Sequence, residues 1–247
     1  STPASAPGGQ STVRATAAAV AGTVFEWFDF FLYGSLAVVF GRLFFPPGHE
    51  TAGLLAALAV FGAGWVVRPL GALVFGRIGD RVGRRRAFLI TIVLMGFSTV
   101  AIGLLPTYAQ VGLLAPALLV TLRLLQGLAV GGEFGGAATY VAEHSAPHRR
   151  GLNTSLVMGT GTIGLLLALL AIAVTRGVLG EQAFEQWGWR LPFLASVLLL
   201  ALSVYMRLHL AESPAFEKLQ REGKVARTPL REAFGNRGHV KTMLLAL

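Results

Sequence analysis

Apolar residues in this chain come in runs, not in stripes. Six stretches, near 17–40, 53–75, 87–105, 113–141, 155–179 and 191–208, are long and almost free of charge. A surface helix of a soluble protein shows a polar face at every turn. A run of ~20 residues that stays apolar all round predicts a membrane-crossing helix. Buried soluble helices are the competing reading, and six such runs in one chain count against it. Short polar links separate the runs. The stretch 209–240 is too polar to span; in it, Ser213-Pro214 and Thr228-Pro229 each place an N-cap before a proline at the first helical position. They predict two short surface helices broken at Gly223. Residues 1–14 read as a disordered lead-in with no n-region or h-region of a signal peptide. At the other end Met243-Leu244-Leu245-Ala246-Leu247 starts a new apolar run, about a third of the ~20 residues a span needs. It reads as the start of a seventh helix, and the sequence as a fragment of a longer protein.

Composition agrees with this pattern. Mean hydropathy is +0.64, and 54% of the 247 residues are apolar against 13% charged. A net charge of +9 would suggest nucleic acid on a soluble surface, but here the basic residues lie between spans. Of 21 lysines and arginines, sixteen fall on one side: Arg14, those in 77–86, Arg149, Arg150 and those from Arg207 to Lys241. Arg42, Arg176 and Arg190 fall on the other side, and Arg68 and Arg123 lie inside spans. The positive-inside bias places both chain ends and the 76–86 link in the cytoplasm. Trp187 and Trp189 then mark the outer interface, and the Asn153-Thr154-Ser155 sequon faces inward. With no cysteine there is no disulfide, thiolate catalysis or Cys-based metal site; the five histidines form no ligand cluster, and no cofactor is implied.

Two glycine patterns are read as packing. Gly127, Gly131 and Gly135, with Gly132 and Gly136, form a ridge on the fourth span that lets a neighbouring helix approach. The Gly159-Thr160-Gly161-Thr162-Ile163-Gly164 stretch fits a dinucleotide fingerprint, but no strand precedes it and it lies in an apolar span.

The chemistry lies in charges at membrane depth: Glu26, Asp29, Arg68, Arg123 and Glu133. Each is costly there by at least ~2.5 kcal/mol, so a function is the default expectation. Glu26 and Asp29 share a helix face at i, i+3, where two close carboxylates cannot easily both ionise. Glu133 and Arg123 stand ~15 Å apart along one helix and cannot pair directly. Three carboxylates against two guanidiniums leave one acid over, a natural proton carrier. Arg68 and Arg123 are the groups a substrate carboxylate would seek.

The link Gly76-Arg77-Ile78-Gly79-Asp80-Arg81-Val82-Gly83-Arg84-Arg85-Arg86 resembles the helix-2/helix-3 signature of major facilitator superfamily transporters, and Arg123-Leu124-Leu125-Gln126-Gly127 resembles their helix-4 signature. Phe25-Glu26-Trp27-Phe28-Asp29-Phe30, Gly131-Gly132-Glu133-Phe134-Gly135-Gly136 and Trp187-Gly188-Trp189-Arg190-Leu191-Pro192-Phe193 are similar to the metabolite:proton symporter branch. The resemblance implies an all-α membrane protein. It implies a six-helix N-terminal bundle over 15–208, a cytoplasmic linker over 209–240 and the start of a truncated helix at 241–247. It implies a multi-pass protein of the inner membrane with its N-terminus in the cytoplasm, working with a missing C-terminal six-helix half. It implies import of a small carboxylate or zwitterion together with protons, by alternating access. Glu26, Asp29 and Glu133 are the expected proton-coupling residues, with Asp29 and Arg123 as the coupling pair. Arg68, Arg123 and Tyr33 are expected to bind substrate, and Glu26, Arg68 and Glu133 to line the cytoplasmic half of the cavity. Gly76, Asp80, Arg81, Gly83, Arg84, Arg85, Glu143 and Arg150 are the expected gate, with Arg84 and Arg85 reaching for Glu143. The fifth span lacks the proline of drug–proton antiporters, which favours symport. A proton-independent facilitator or exchanger, and a non-transporting metabolite sensor, are the alternatives; no nucleophile–base arrangement suggests an enzyme.

Overall fold

The computed structural model describes residues 12–209 and 214–223. Among them there is no strand, as expected where a bilayer offers backbone groups no water. Five helical stretches are long and apolar enough to cross a membrane, and a bent pair makes six.

The bent pair is the first span. Helix α1 (Thr12–Ser35) stops at Leu36, and α2 (Ala37–Phe44) leaves at 62°. The single helix expected over 17–40 is therefore broken, and Gly34 and Ser35 at the break are the small residues at which helices kink. Helix α1 already starts at Thr12, inside the stretch assigned to the lead-in. The second span is also two helices, α3 (Glu50–Val66) and α4 (Arg68–Val82). Pro69 explains the break: it has no N–H for the Trp65 carbonyl, and its ring crowds that oxygen.

Helix α4 runs past the expected end at 75 through Val82. Only Gly83, at φ 103°, separates it from α5 (Arg84–Leu104). The basic 76–86 stretch is thus a helix–glycine–helix turn and not a loop; Gly83 takes the left-handed backbone that other residues resist. After α6 (Tyr108–Val111), capped by Thr107 and Gln110, comes the fourth span, α7 (Leu114–His144). The fifth is α8 (Arg150–Met158) and α9 (Thr160–Leu179), divided at Gly159. A short helix, α10 (Glu181–Ala183), and a π-turn at 184–188 lead into the sixth, α11 (Arg190–Leu208). The linker contributes α12 (Pro214–Arg221), followed by Gly223 at φ 66°. The helix expected at Thr228-Pro229 and the 241–247 segment lie outside the described residues.

Helix α1 sits between α9 and α11 and also touches α7; α7 packs on α4 and α5, and α5 on α11. The glycine ridge makes the contacts of α7 with α3 and α4. A Cβ on Gly131 would overlap the Arg68 carbonyl oxygen and stand 2.7 Å from its carbon, and one on Gly127 would stand 2.8 Å from the Gly64 carbonyl carbon. Gly135 is different, because a Cβ there meets nothing within 4 Å. Trp189 is not an interface marker: it is fully buried, edge-on to Phe40 and Phe44 and against Phe193. The inward turn of α2 covers it. Of these two tryptophans, Trp187 is the exposed one. Val93, Phe97, Leu198 and Leu202 point outward as a lipid-facing surface does.

Candidate functional site

Two buried charge clusters lie on the inner face of α1. In the first, Asp29 and Arg123, only 2% and 4% exposed, form an ion pair at 3.2 Å between Oδ2 and Nη1. Asp29 Oδ1 accepts a hydrogen bond from Gln126 Nε2 at 2.8 Å and one from the Thr99 hydroxyl at 2.9 Å. The same Arg123 Nη1 donates to Gln126 Oε1 at 2.9 Å. Gln126 is one turn beyond Arg123 on α7, so the spacing that defines the helix-4 signature places both on one face toward α1. Aromatic rings enclose the guanidinium: Tyr33 at 4.6 Å, Phe61 at 5.1 Å and Phe30 at 5.9 Å from its carbon. Removing one member of such a buried pair costs about 3–5 kcal/mol, because the other is left charged and desolvated.

The second cluster joins Glu133 on α7 to Arg207 on α11 by an ion pair with Glu133 fully buried and Arg207 2% exposed. Arg207 Nη1 also donates to the Phe88 carbonyl at 3.1 Å. Arg207 was expected in the cytoplasmic segment. The structure instead buries it inside the bundle against Glu133, so among the described residues three guanidiniums, of Arg68, Arg123 and Arg207, face three carboxylates. Full pairing does not follow. Glu26, 2% exposed, has an Oε2 without a hydrogen-bond partner. Arg68, half-buried at the start of the broken helix α4, lies on the Trp65 ring at 3.8 Å, with its Nε unpartnered.

These residues border open space unequally. Glu26, Arg68, Trp27 and Trp65 line a recess of about 560 Å³ between α1, α4 and α7, and a narrow cleft behind it reaches Asp29, Arg123 and Gln126. Of the residues expected to line the cavity, Glu26 and Arg68 do so, while Glu133 lies behind Glu26 against α11. Tyr33, expected at the substrate, is fully buried; its hydroxyl donates to the Ala57 carbonyl at 3.3 Å and its ring supports Arg123.

At the 76–86 turn, Arg84 reaches Glu143 at 3.6 Å. Arg85 turns away and donates to the Leu208 carbonyl at 2.5 Å, capping α11. Arg150 donates to the Ser145 carbonyl at 3.4 Å. Asp80, Gly76, Gly79 and Arg84 border a small cavity of about 220 Å³ between α4, α5 and α7; Gly83 is the turn itself, and Arg81 is exposed.

Arg207, Gln126 and Thr99 carry the site but were not singled out from the sequence. Gln126 had a usable signal in its spacing from Arg123. Arg207 had a weak one, a lone arginine inside the last turn of an apolar run. Thr99 had none.

Comparison with known proteins gives the following. The sequence model of the family described as "Sugar (and other) transporter" matches residues 14–243. The shikimate transporter of Escherichia coli (strain K12) is 42% identical over 223 residues, 89% of this chain and 51% of the relative. A proline/betaine transporter of Salmonella typhimurium is 41% identical over 205 residues, 83% of this chain and 41% of the relative. The chain thus spans about half the length of the curated relatives it matches. Among solved structures, the major facilitator superfamily proton:xylose symporter XylE, bound to 6-bromo-6-deoxy-D-glucose, superposes with a TM-score of 0.74 at 20% identity, over 94% of this chain and 51% of that one. At that identity the likeness is one of fold.

Proposed function

The chain belongs to the sugar (and other) transporter family of the major facilitator superfamily, and from that membership we propose that it is the N-terminal half of a proton-coupled symporter for a small carboxylate-bearing metabolite. One observation carries the reading: a buried carboxylate–guanidinium pair, Asp29–Arg123, lies behind a recess that Arg68 and Glu26 line. Glu26, Asp29 and Glu133 form the proton site, and Asp29 is its switch. A proton on Asp29 removes the charge that holds Arg123 and loosens α1 from α7. The recess binds the substrate. Arg123 is caged by rings and by Gln126, so the half-buried guanidinium of Arg68 makes the better substrate contact. Its planar fork suits a carboxylate, and both named relatives carry substrates with one. A zwitterion would place its cationic end toward Glu26. A neutral sugar would want uncharged donors and acceptors, and Gln126, the side-chain amide among the described residues of the cleft, is already engaged by Asp29 and Arg123.

The site requires a second half around the recess, and alternating access follows from the two halves rocking in turn. Orientation in the inner membrane follows the arginine bias. With Arg207 removed from the count, fifteen of 21 basic residues still lie on the side read as cytoplasmic. The turn at 76–86, with its Arg84–Glu143 contact, is a cytoplasmic latch of the inside-closed state.

Two tests follow. In proteoliposomes of the full-length protein, uptake is screened over shikimate, 2-oxoglutarate, citrate, proline and glycine betaine. Arg68→Gln raises the half-saturating concentration of the transported compound by about tenfold or more, as loss of a charge-assisted bond does. An unchanged value would remove Arg68 from the substrate site. For orientation, single cysteines at the exposed positions His148 and Gln182 in the otherwise cysteine-free half label from opposite sides. Labelling of both from the outside contradicts the topology.

A further inference from the structure

The three carboxylates are not equivalent, and the difference comes from α11. That helix turns much of its surface to lipid, yet in its last turn it sends the charged side chain of Arg207 inward. Ser203 Oγ donates to the Ala21 carbonyl at 3.2 Å and pins α11 to α1. One turn later Arg207 passes over Gly22, where a Cβ would stand 2.8 Å from Arg207 Cζ and 2.9 Å from Glu133 Oε1. The guanidinium carbon lies 5.1 Å from the Phe88 ring centre, and Nη1 is held by the Phe88 carbonyl. Gly22 is thus the slot that admits a counter-ion to Glu133.

Among the described residues, the charged groups facing Glu26 come from four helices. Asp29 lies on its own helix, Arg68 on α4, Glu133 on α7 and Arg207 on α11. Arg123 on α7 is engaged by Asp29. The fifth span, which packs along α1, has no ionisable residue from 151 to 175, and α5 contributes the Thr99 hydroxyl. Two acids in this set hold a guanidinium within an ion pair, and the third, Glu26, does not.

We infer that Arg207 is a positioning residue of the proton site: it holds Glu133 as a carboxylate, so that Glu26 is the acid that carries the exchangeable proton and passes it to Asp29. The transfer balances. The O–H bond of Glu26 breaks, an O–H bond forms on Asp29 three residues along α1, and Glu26 is left as a carboxylate facing Arg68. Protonation of Asp29 is the switch already described, so this assignment rests on the symport reading and adds the source of its proton.

Infrared difference spectroscopy of the full-length protein tests it, through the C=O stretch of buried carboxylic acids. The wild type at neutral pH shows one such band, which shifts in heavy water. Glu26→Gln loses it, and Glu133→Gln keeps it. Arg207→Gln gains a second band, because Glu133 without its counter-ion takes up a proton. The Arg207→Gln/Glu133→Gln pair loses that second band, and Arg207→Lys restores the single-band spectrum. A purely structural Arg207 would leave the bands unchanged. Retention of the band in Glu26→Gln, its loss in Glu133→Gln, or an unaltered spectrum in Arg207→Gln overturns the inference. If Arg207→Gln does not fold, Gly22→Ala, which crowds the same guanidinium, must add band intensity; an unchanged spectrum there also overturns it. Failure of symport itself would be seen separately, as uptake indifferent to pH with these bands intact.

Discussion

Asp29→Asn abolishes accumulation driven by a pH gradient, while exchange of substrate between equal pools survives. The asparagine keeps the size of the side chain and an oxygen to receive Thr99 and Gln126. It can neither lose nor gain a proton in the working range, and it holds Arg123 no more strongly in one state of the cycle than in another. Loss of a group that must exchange a proton lowers a rate on the order of 100-fold. Exchange needs only that the loaded carrier reorient, so it continues. The variant also leaves a buried guanidinium without its counter-charge, at about 3–5 kcal/mol. The rings of Tyr33, Phe61 and Phe30 offset part of that. A melting curve separates the two effects: a folded Asp29→Asn protein that exchanges but does not accumulate is the expected result. Accumulation at the wild-type level excludes Asp29 as the switch.

Gly131→Ala lowers the thermal stability of the full-length protein by about 1–3 kcal/mol or more, the usual consequence of overfilling a tight contact. The new methyl would overlap the carbonyl of Arg68. Backbone cannot rotate out of the way as a side chain can, so α7 must move from α4. That shift also displaces Arg68, whose own carbonyl is the obstacle, so substrate affinity falls with stability. Gly135→Ala, one turn on in the same ridge, is the control: its methyl enters open space and the helix gains an alanine. Thermal melting of the two variants in detergent checks the pair. Equal melting temperatures would mean that the ridge is not a packing device at Gly131.

Much of this was legible in the residues, for a physical reason. A membrane helix must be apolar over its length, so the six spans and the five charges that interrupt them stand out by contrast. The contrast alone offered three carboxylates and two guanidiniums without choosing among them; it was the family resemblance that pointed to Asp29 with Arg123, and the structure joins those two. The same logic fails at the membrane edge. Arg207 is the last basic residue of an apolar run and the first of a basic stretch, and nothing local tells an inward guanidinium from an orienting one. The decisive feature, Gly22, lies 185 residues earlier on another helix. The bend at Leu36 was hidden too, because apolar content is blind to helix direction; it follows from small residues and from Phe40 and Phe44 closing over Trp189. Thr99 was illegible, since its hydroxyl can bond either to Asp29 or to its own helix at the Met95 carbonyl.

Direct measurement of proton movement tests the central claim. Proteoliposomes of the full-length protein are loaded with a pH-sensitive dye, with equal pH on both sides, and the transported metabolite is added outside. The account predicts that the interior acidifies as substrate enters, that a protonophore abolishes the change, and that Asp29→Asn shows none. Substrate entry with no change in internal pH would contradict it and make the protein a facilitator.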